Sequence, residues 1–319
     1  MTAENFESAN MTSENKLVNS GIWHALIIIL LGFALLIMVV SSAEQGEALH
    51  INRSASLHIA TMENDDIQKI MRLGAYEWSS KKHNNFWLPD NDALWFKVPI
   101  AAYKGTDNRL VEVPFPNLDF VDVWFVDEAA NESKILTHYQ TGDNFKFAQR
   151  TILHDQFIFP VPTGFNSLSL YIRVKSEGEI KVPIALWEEE NYIQYIASYR
   201  VFIGAFYGFM LAMGLISLFL FVTSRNIIIL QYAGFIVCLS LALASSQGLG
   251  YRFIWPNSIF FQQYSLIFFA SLMVYFSTSF TARVLDIKKG ATRLYIVFKT
   301  IRVYILSYIL VVFVNTALV

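Results

Sequence analysis

Cysteine is nearly missing from this chain of 319 residues: Cys238 stands alone, inside an apolar run. One thiol cannot close a disulfide within the chain, and the same scarcity excludes a Cys/His zinc cluster. Charge is scarce too. Lys, Arg, Asp and Glu together make up 16% of the residues, against about 25% in a typical soluble protein. After residue 196 acids all but vanish, leaving Asp286 among 9 basic residues. Apolar side chains take their place: hydrophobic residues reach 54%, and the mean hydropathy is +0.40. A domain of this size cannot hide so much apolar surface from water, so part of the chain belongs in lipid. Residues 1–196 carry a net charge of −10 and residues 197–319 one of +8. The two halves therefore face different surroundings. Their near-cancellation to −2 gives no argument for a nucleic-acid partner, and none is expected.

Motifs of catalysis are missing as well. The six histidines, His24, His50, His58, His83, His138 and His154, show no metal-ligand spacing. There is no Gly-x-Ser-x-Gly elbow and no phosphate-binding glycine loop. His154-Asp155 has the chemistry of an acid–base pair, but neighbours in a strand point to opposite faces. No catalytic residue, metal or cofactor is expected, and the chain reads as a non-enzyme.

The apolar runs define the membrane organisation. Residues 1–21 form an N-terminal tail. The stretch 22–42 has an apolar run from Ile22 to Val40 and ends in Ser41-Ser42-Ala43, small residues that suit signal peptidase. Lys16 is its only preceding basic residue, so cleavage and retention as an anchor both fit. Four further spans can be drawn, at about 201–222, 227–245, 259–282 and 303–319. The first three are long enough for about 30 Å of hydrocarbon. The last has no polar tail and reads as cut. Short loops set the orientation by their Lys and Arg. Arg225, Arg283, Lys288, Lys289, Arg293, Lys299 and Arg302 fall on one side and Arg252 on the other, which puts residues 43–196 outside the cytoplasm. The basic loop 283–302 would also attract anionic membrane lipid.

In the exported domain the periodicity is two. Leu168, Leu170, Ile172 and Val174 alternate with Ser169, Tyr171 and Arg173; Val121, Val123 and Phe125 alternate with Asp122 and Trp124. Short strands are expected at 94–98, 110–113, 121–126, 134–139, 157–160, 168–174 and 182–187, with turn-formers between them. That spacing argues for an all-β sandwich or jelly roll over residues 55–190. One helix is expected at its start, where Asp65 and Gln68 make a capping pair and Ile67, Ile70, Met71 and Trp78 share a face. The acidic run 188–190 reads as a solvated linker.

These segments resemble a known family: bacterial seven-transmembrane receptors with diverse intracellular signalling modules (7TMR-DISM), with the type-2 extracellular domain. The resemblance rests on Leu94-Trp95-Phe96-Lys97-Val98, Leu110-Val111-Glu112-Val113-Pro114, Asp119 to Phe125, Gly142-Asp143, Arg150, Phe157-Ile158-Phe159, Leu170 to Val174 and Pro183 to Trp187. In the membrane part it rests on Tyr207-Gly208-Phe209-Met210, Arg225-Asn226, Gln231-Tyr232, Gly248 to Tyr251 and Trp255-Pro256. It covers roughly residues 60–319. Two departures stand out. Lys97 replaces the more usual Arg and loses a bidentate fork. Only four of seven spans are present over 197–319, and no output domain follows. In the family that output is commonly a diguanylate cyclase, a histidine kinase or a phosphatase.

The resemblance implies a jelly roll similar to carbohydrate-binding modules, followed by an all-α transmembrane bundle. A small-molecule site is then the natural functional reading, with carbohydrate among the candidate ligands. Trp78, Trp87, Trp95, Trp124 and Trp187 are available for stacking, or alternatively fill the core. The candidate ligand-binding residues are Asp143, Arg150, Arg173, Lys97 and Trp95, with Asp143, Arg150 and Arg173 bordering the polar end of a pocket. The competing reading makes Asp143 and Arg150 a structural ion pair. In the first span Gly204, Gly208 and Ala212 form a small-xxx-small seam for helix packing. A homodimer is a further candidate assembly. The expected function is the periplasmic input half of a receptor in a bacterial inner membrane, with a tethered carbohydrate-binding protein as the rival reading.

Overall fold

A computed structural model of the protein describes residues 49–50, 56–60, 65–80, 85–86, 92–100, 108–128, 133–165, 167–176, 180–286 and 292–317. The tail at 1–21, the segment at 22–42, Trp87, His24 and His83 lie outside the described residues. Residues 48–192 and 206–319 form one compact body, and Ile193–Ala205 belongs to another.

The N-terminal part of the described chain is built from antiparallel sheets. Its strands are β1 (Leu49–His50), β2 (Ser56–Ala60), β3 (Ser79–Ser80), β4 (Asn85–Phe86), β5 (Ala93–Pro99), β6 (Arg109–Val113), β7 (Phe120–Asp127), β8 (Lys134–Thr141), β9 (Phe157–Pro160), β10 (Leu168–Lys175), β11 (Ile180–Lys181) and β12 (Ala185–Glu188). One sheet has the order β3-β2-β5-β10-β7-β8, a second β1-β12-β6-β9, and β11 pairs with β4. The expected strand at 182–187 shortens to β12, which starts only after Pro183, a residue with no N–H to give a ladder; Ile180–Lys181 pairs separately as β11.

The two larger sheets share one core. Leu94, Phe96 and Val98 of β5, Val121, Val123 and Phe125 of β7, and Leu170, Ile172 and Val174 of β10 pack with Val111, Phe157, Phe159 and Leu186 of the other sheet. Each such side chain, fully buried, contributes about 1.5–3 kcal/mol. Because the side-chain period is two, the alternate residues stand on the other face of the six-stranded sheet. There Trp95, Trp124, Val126 and Tyr171 form a second cluster with Ile70, and Ile67, Met71 and Trp78 pack against it. The lid is helix α1 (Ile67–Ile70). Its cap differs from the expected one: Asp66 accepts from the Gln68 N–H, while Asp65 turns onto the sheet. Trp95 and Trp124 thus fill a core, but it is the second one.

Among the described residues four helices are long and apolar enough to cross a membrane: α2 (Glu189–Ser224), α3 (Ile227–Ser246), α5 (Ile259–Val284) and α6 (Thr292–Ala317); a short α4 (Leu249–Phe253) precedes α5. Helix α2 starts well before the apolar run, because Glu189 and Glu190 occupy its first turn, where the helix dipole favours acids. The expected linker at 188–190 is therefore a cap and a first turn. Arg225, at φ 54°, ends α2 in the left-handed conformation, and Asn226 caps α3 by accepting from the Ile228 N–H. Helix α6 begins at Thr292, ahead of the expected start at 303, so Arg302 lies within it and donates to Ser279 of α5 at 3.4 Å.

Among the described residues the seam of Gly204, Gly208 and Ala212 is exposed, and a Cβ on either glycine would meet none of them within 4 Å. Close helix approach occurs elsewhere. At Gly234 of α3 a Cβ would sit 2.7 Å from the ring of Phe276 in α5.

Candidate functional site

Polar side chains gather at two places, and the five expected site residues divide between them. The first is the outer face of the six-stranded sheet. Antiparallel register sets Arg173 of β10 between Trp95 of β5 and Asp122 of β7. Arg173 forks onto Asp65 at 2.7 and 2.5 Å and reaches Asp122 at 2.7 Å. Lys175 and the Trp95 indole N–H add contacts to Asp65 at 2.7 and 3.0 Å. Lys97 pairs with Glu128 at 2.8 Å, and the Tyr171 hydroxyl donates to the same carboxylate at 2.8 Å. Trp124 stacks between Trp95, at 5.0 Å, and His138, at 4.6 Å.

The electrostatics follow from these bonds. Burial opposes ionisation of Asp65, but the Arg173 and Lys175 hydrogen bonds outweigh it and hold the carboxyl below its ordinary range. Glu128 is likewise held low: burial opposes this, and Lys97 and Tyr171 prevail. Arg173, Lys97 and Trp95 therefore belong to a network in which cations and carboxylates neutralise each other. Asp65, Asp122 and Glu128, which complete it, were not expected from the sequence. Asp122 was detectable, since it shares the outward parity of Trp124 and Arg173.

The second place is the end of the domain that meets the helices. Arg150 is 6% exposed and donates from one guanidinium nitrogen to the carbonyl oxygens of His154 and Asp155, both at 2.8 Å. Its central guanidinium carbon lies 4.5, 5.1 and 5.9 Å from the ring centres of Phe157, Phe147 and Tyr251. Burial brings its guanidinium down to about 10. In place of the ion pair of the competing reading, the guanidinium clamps these two carbonyls, and it acts on Asp143 only through its charge. Arg173, engaged with Asp65 and Asp122, does not join Asp143 and Arg150 at one pocket.

His154 and Asp155 do meet, with Nε2 and Oδ1 3.5 Å apart. The expectation of opposite faces fails because residues 151–156 form bends instead of a strand. Asp155 in turn accepts from Arg252 of α4 at 3.0 Å. Around this pair the sandwich and the helices interlock. Phe147 packs with Ala242, Tyr251, Trp255 and Phe269. The Phe147 N–H donates to the Pro256 carbonyl at 3.3 Å, and the Tyr251 hydroxyl to that of Phe145. Gln263 of α5 donates to Asn144. Gly248 (φ 75°) lets the α3–α4 turn approach: a Cβ there would lie 2.8 Å from the Asp155 oxygen and from Pro116.

Beside this junction lies a cleft of about 450 Å³, lined by Asn117, Asp119, Asp143, Asn144, Gln262 and Gln263 among others. Gly142 shapes it. At φ 150° it needs glycine, and a Cβ would fall 2.0 Å from the Asp119 carbonyl oxygen. That close approach brings the Asp143 and Asp119 carboxyls together. Burial first, then the Asp119 charge, pushes Asp143 up to about 7.

This layout, an antiparallel sheet domain seated on membrane helices, has a counterpart among known families. Residues 52–188 match 7TMR-DISM extracellular 2, and residues 199–319 match 7TM diverse intracellular signalling. The chain belongs to the 7TMR-DISM family. No curated protein matches it. As a 7TMR-DISM protein it has the domains of a transmembrane sensory receptor, an extracellular part and a membrane part, and these are non-catalytic modules. The cleft and the junction both lie within the matched regions.

Proposed function

We propose that this 7TMR-DISM chain is the input module of a bacterial inner-membrane receptor. Its periplasmic domain binds a small molecule and passes the event to the membrane helices, and through them to an output domain such as a diguanylate cyclase or a histidine kinase. One observation carries the reading: the loop 142–156 is locked onto α4 and α5 by apolar packing, hydrogen bonds and the Asp155–Arg252 ion pair. A shift of that loop has to move α4 or α5 or break those contacts. Two antiparallel sheets around one core support a jelly roll similar to carbohydrate-binding modules, which makes sugars the first ligand class to test. Anionic lipid and a second copy of the chain are further proposed partners.

The test uses cysteines at Asn144 and Gln263, which touch across the junction. In a C238S background, N144C/Q263C protein in membrane vesicles is oxidised with and without glucose, galactose, mannose and N-acetylglucosamine. A sugar that binds should change the rate of disulfide formation. Sugar binding with an unchanged rate would favour a tethered carbohydrate-binding protein that sends no signal.

A further inference from the structure

We propose that the cleft between the sandwich and α5 holds a primary ammonium group carrying an apolar stem. This rests on the receptor reading above and names the ligand class for one of its sites. Asp143 lines the cleft and is 5% exposed, and among the described residues its Oδ1 has no hydrogen-bond partner. Asn117 presents a second buried oxygen without a partner, and Asp119 a second carboxylate, to the same space. Two unpartnered acceptors from separate positions, with the Asp119 charge beside them, call for a group with several donors and no acceptor, as an ammonium has.

The far wall is apolar. Leu266 and Ile267 of α5 line the cleft and are 37% and 45% exposed. A stem of a few methylenes leaving the ammonium would cover them, at about 0.8 kcal/mol per methylene. Gln262, 4% exposed, is already occupied in accepting from the Trp255 indole at 3.0 Å. Because the cleft sits where α5 begins, the same chemistry could arrive as a phosphatidylethanolamine headgroup or as a free alkylamine.

Four titratable or charged groups surround Asp143: Asp119 from the β6–β7 connection, Arg150 from the loop after β8, Tyr251 from α4 and Tyr264 from α5. With Asp143 raised to about 7 beside Asp119, the acid pair holds a proton that an entering ammonium releases to solvent. Affinity for an amine should therefore rise between pH 6 and pH 8.

The full chain, in nanodiscs of phosphatidylcholine and phosphatidylglycerol, is titrated with n-hexylamine while the melting midpoint is followed. Hexanol and hexanoate share the stem and lack the cation. Saturable stabilisation by hexylamine alone is expected, weakened roughly ten- to hundredfold in D143N and unchanged in the exposed-site variant E190Q. D119N serves as the second variant if D143N does not fold. Nanodiscs containing phosphatidylethanolamine separate the sources. If they stabilise the protein by themselves and abolish the hexylamine response, the lipid is the ligand; an undiminished response assigns a free amine. Equal effects of hexanol and hexylamine, or full binding by both D143N and D119N, would overturn the inference. A wild type indifferent to hexylamine whose N144C/Q263C crosslink still responds to a sugar overturns the ammonium site alone; silence in both experiments removes the receptor reading as well.

Discussion

Asp155 accepts a hydrogen bond from Arg252 at 3.0 Å across 97 positions of sequence, tying a bend of the sandwich to the helix α4. Asp155 is 1% exposed, so removing Arg252 takes a guanidinium partner away from a buried carboxylate. Arg252→Ala should cost about 3 kcal/mol, at the low end for a broken buried pair because the arginine is partly exposed. Arg252→Ala combined with Asp155→Asn should cost less than Arg252→Ala alone. Additive losses in denaturation of the four proteins would show that the pair is not coupled.

Asp65 and Asp66 are neighbours with different work. Asp65→Ala unpairs Lys175 and the Trp95 indole and leaves Arg173 with Asp122 alone, which should destabilise by about 3–5 kcal/mol. Asp66→Ala removes one helix cap and should cost about 1 kcal/mol. Equal melting midpoints for the two variants would contradict the network.

Two buried acids give the domain an unusual pH dependence. Burial, only partly offset by the Trp187 indole bond, pushes Glu112 up to about 7 from 4.5; burial and Asp119 push Asp143 to about 7 from 3.8. Between about pH 4 and 7 the folded state binds more protons at these sites than the unfolded state. Their contribution to stability therefore falls as the pH rises through that window. Asp65 and Glu128 act oppositely, losing their contribution only as acid protonates them below the ordinary carboxyl range. The midpoint of wild type should drop more from pH 5 to pH 7.5 than that of a Glu112→Gln/Asp143→Asn variant. Parallel curves would refute this.

Gly234 and Gly208 separate a helix contact seen among the described residues from one that the spacing suggested. Gly234→Ala places a Cβ against Phe276 and should cost about 1–3 kcal/mol. Gly208→Ala meets none of the described residues within 4 Å and should be neutral or slightly stabilising through helix propensity. Heat inactivation of the two variants in detergent decides it, and a more labile G208A would restore the seam.

Periodicity made much of the architecture legible. Alternation along β7 and β10 marked the core row correctly, because a strand has only two faces and one is apolar. Uncharged runs marked α3 and α5 closely, since lipid tolerates few alternatives. Asp65 was misread as a cap because the sequence does not say which of two adjacent acids faces the sheet. His154 and Asp155 were set apart by a strand rule that a bent segment does not obey.

By itself, then, the sequence determined that an exported β domain precedes membrane helices, and which face of each long strand is buried. These depend on local period and composition, which neighbouring residues in the chain encode. Only the tertiary structure decided that Arg150 clamps the carbonyls of His154 and Asp155, that Arg173 turns to Asp65, and that Asp143 meets Asp119 in a cleft beside α5. Each of these depends on where a side chain from one element meets another distant in sequence, and charge at such meetings is set by packing and desolvation, which no spacing along the chain records.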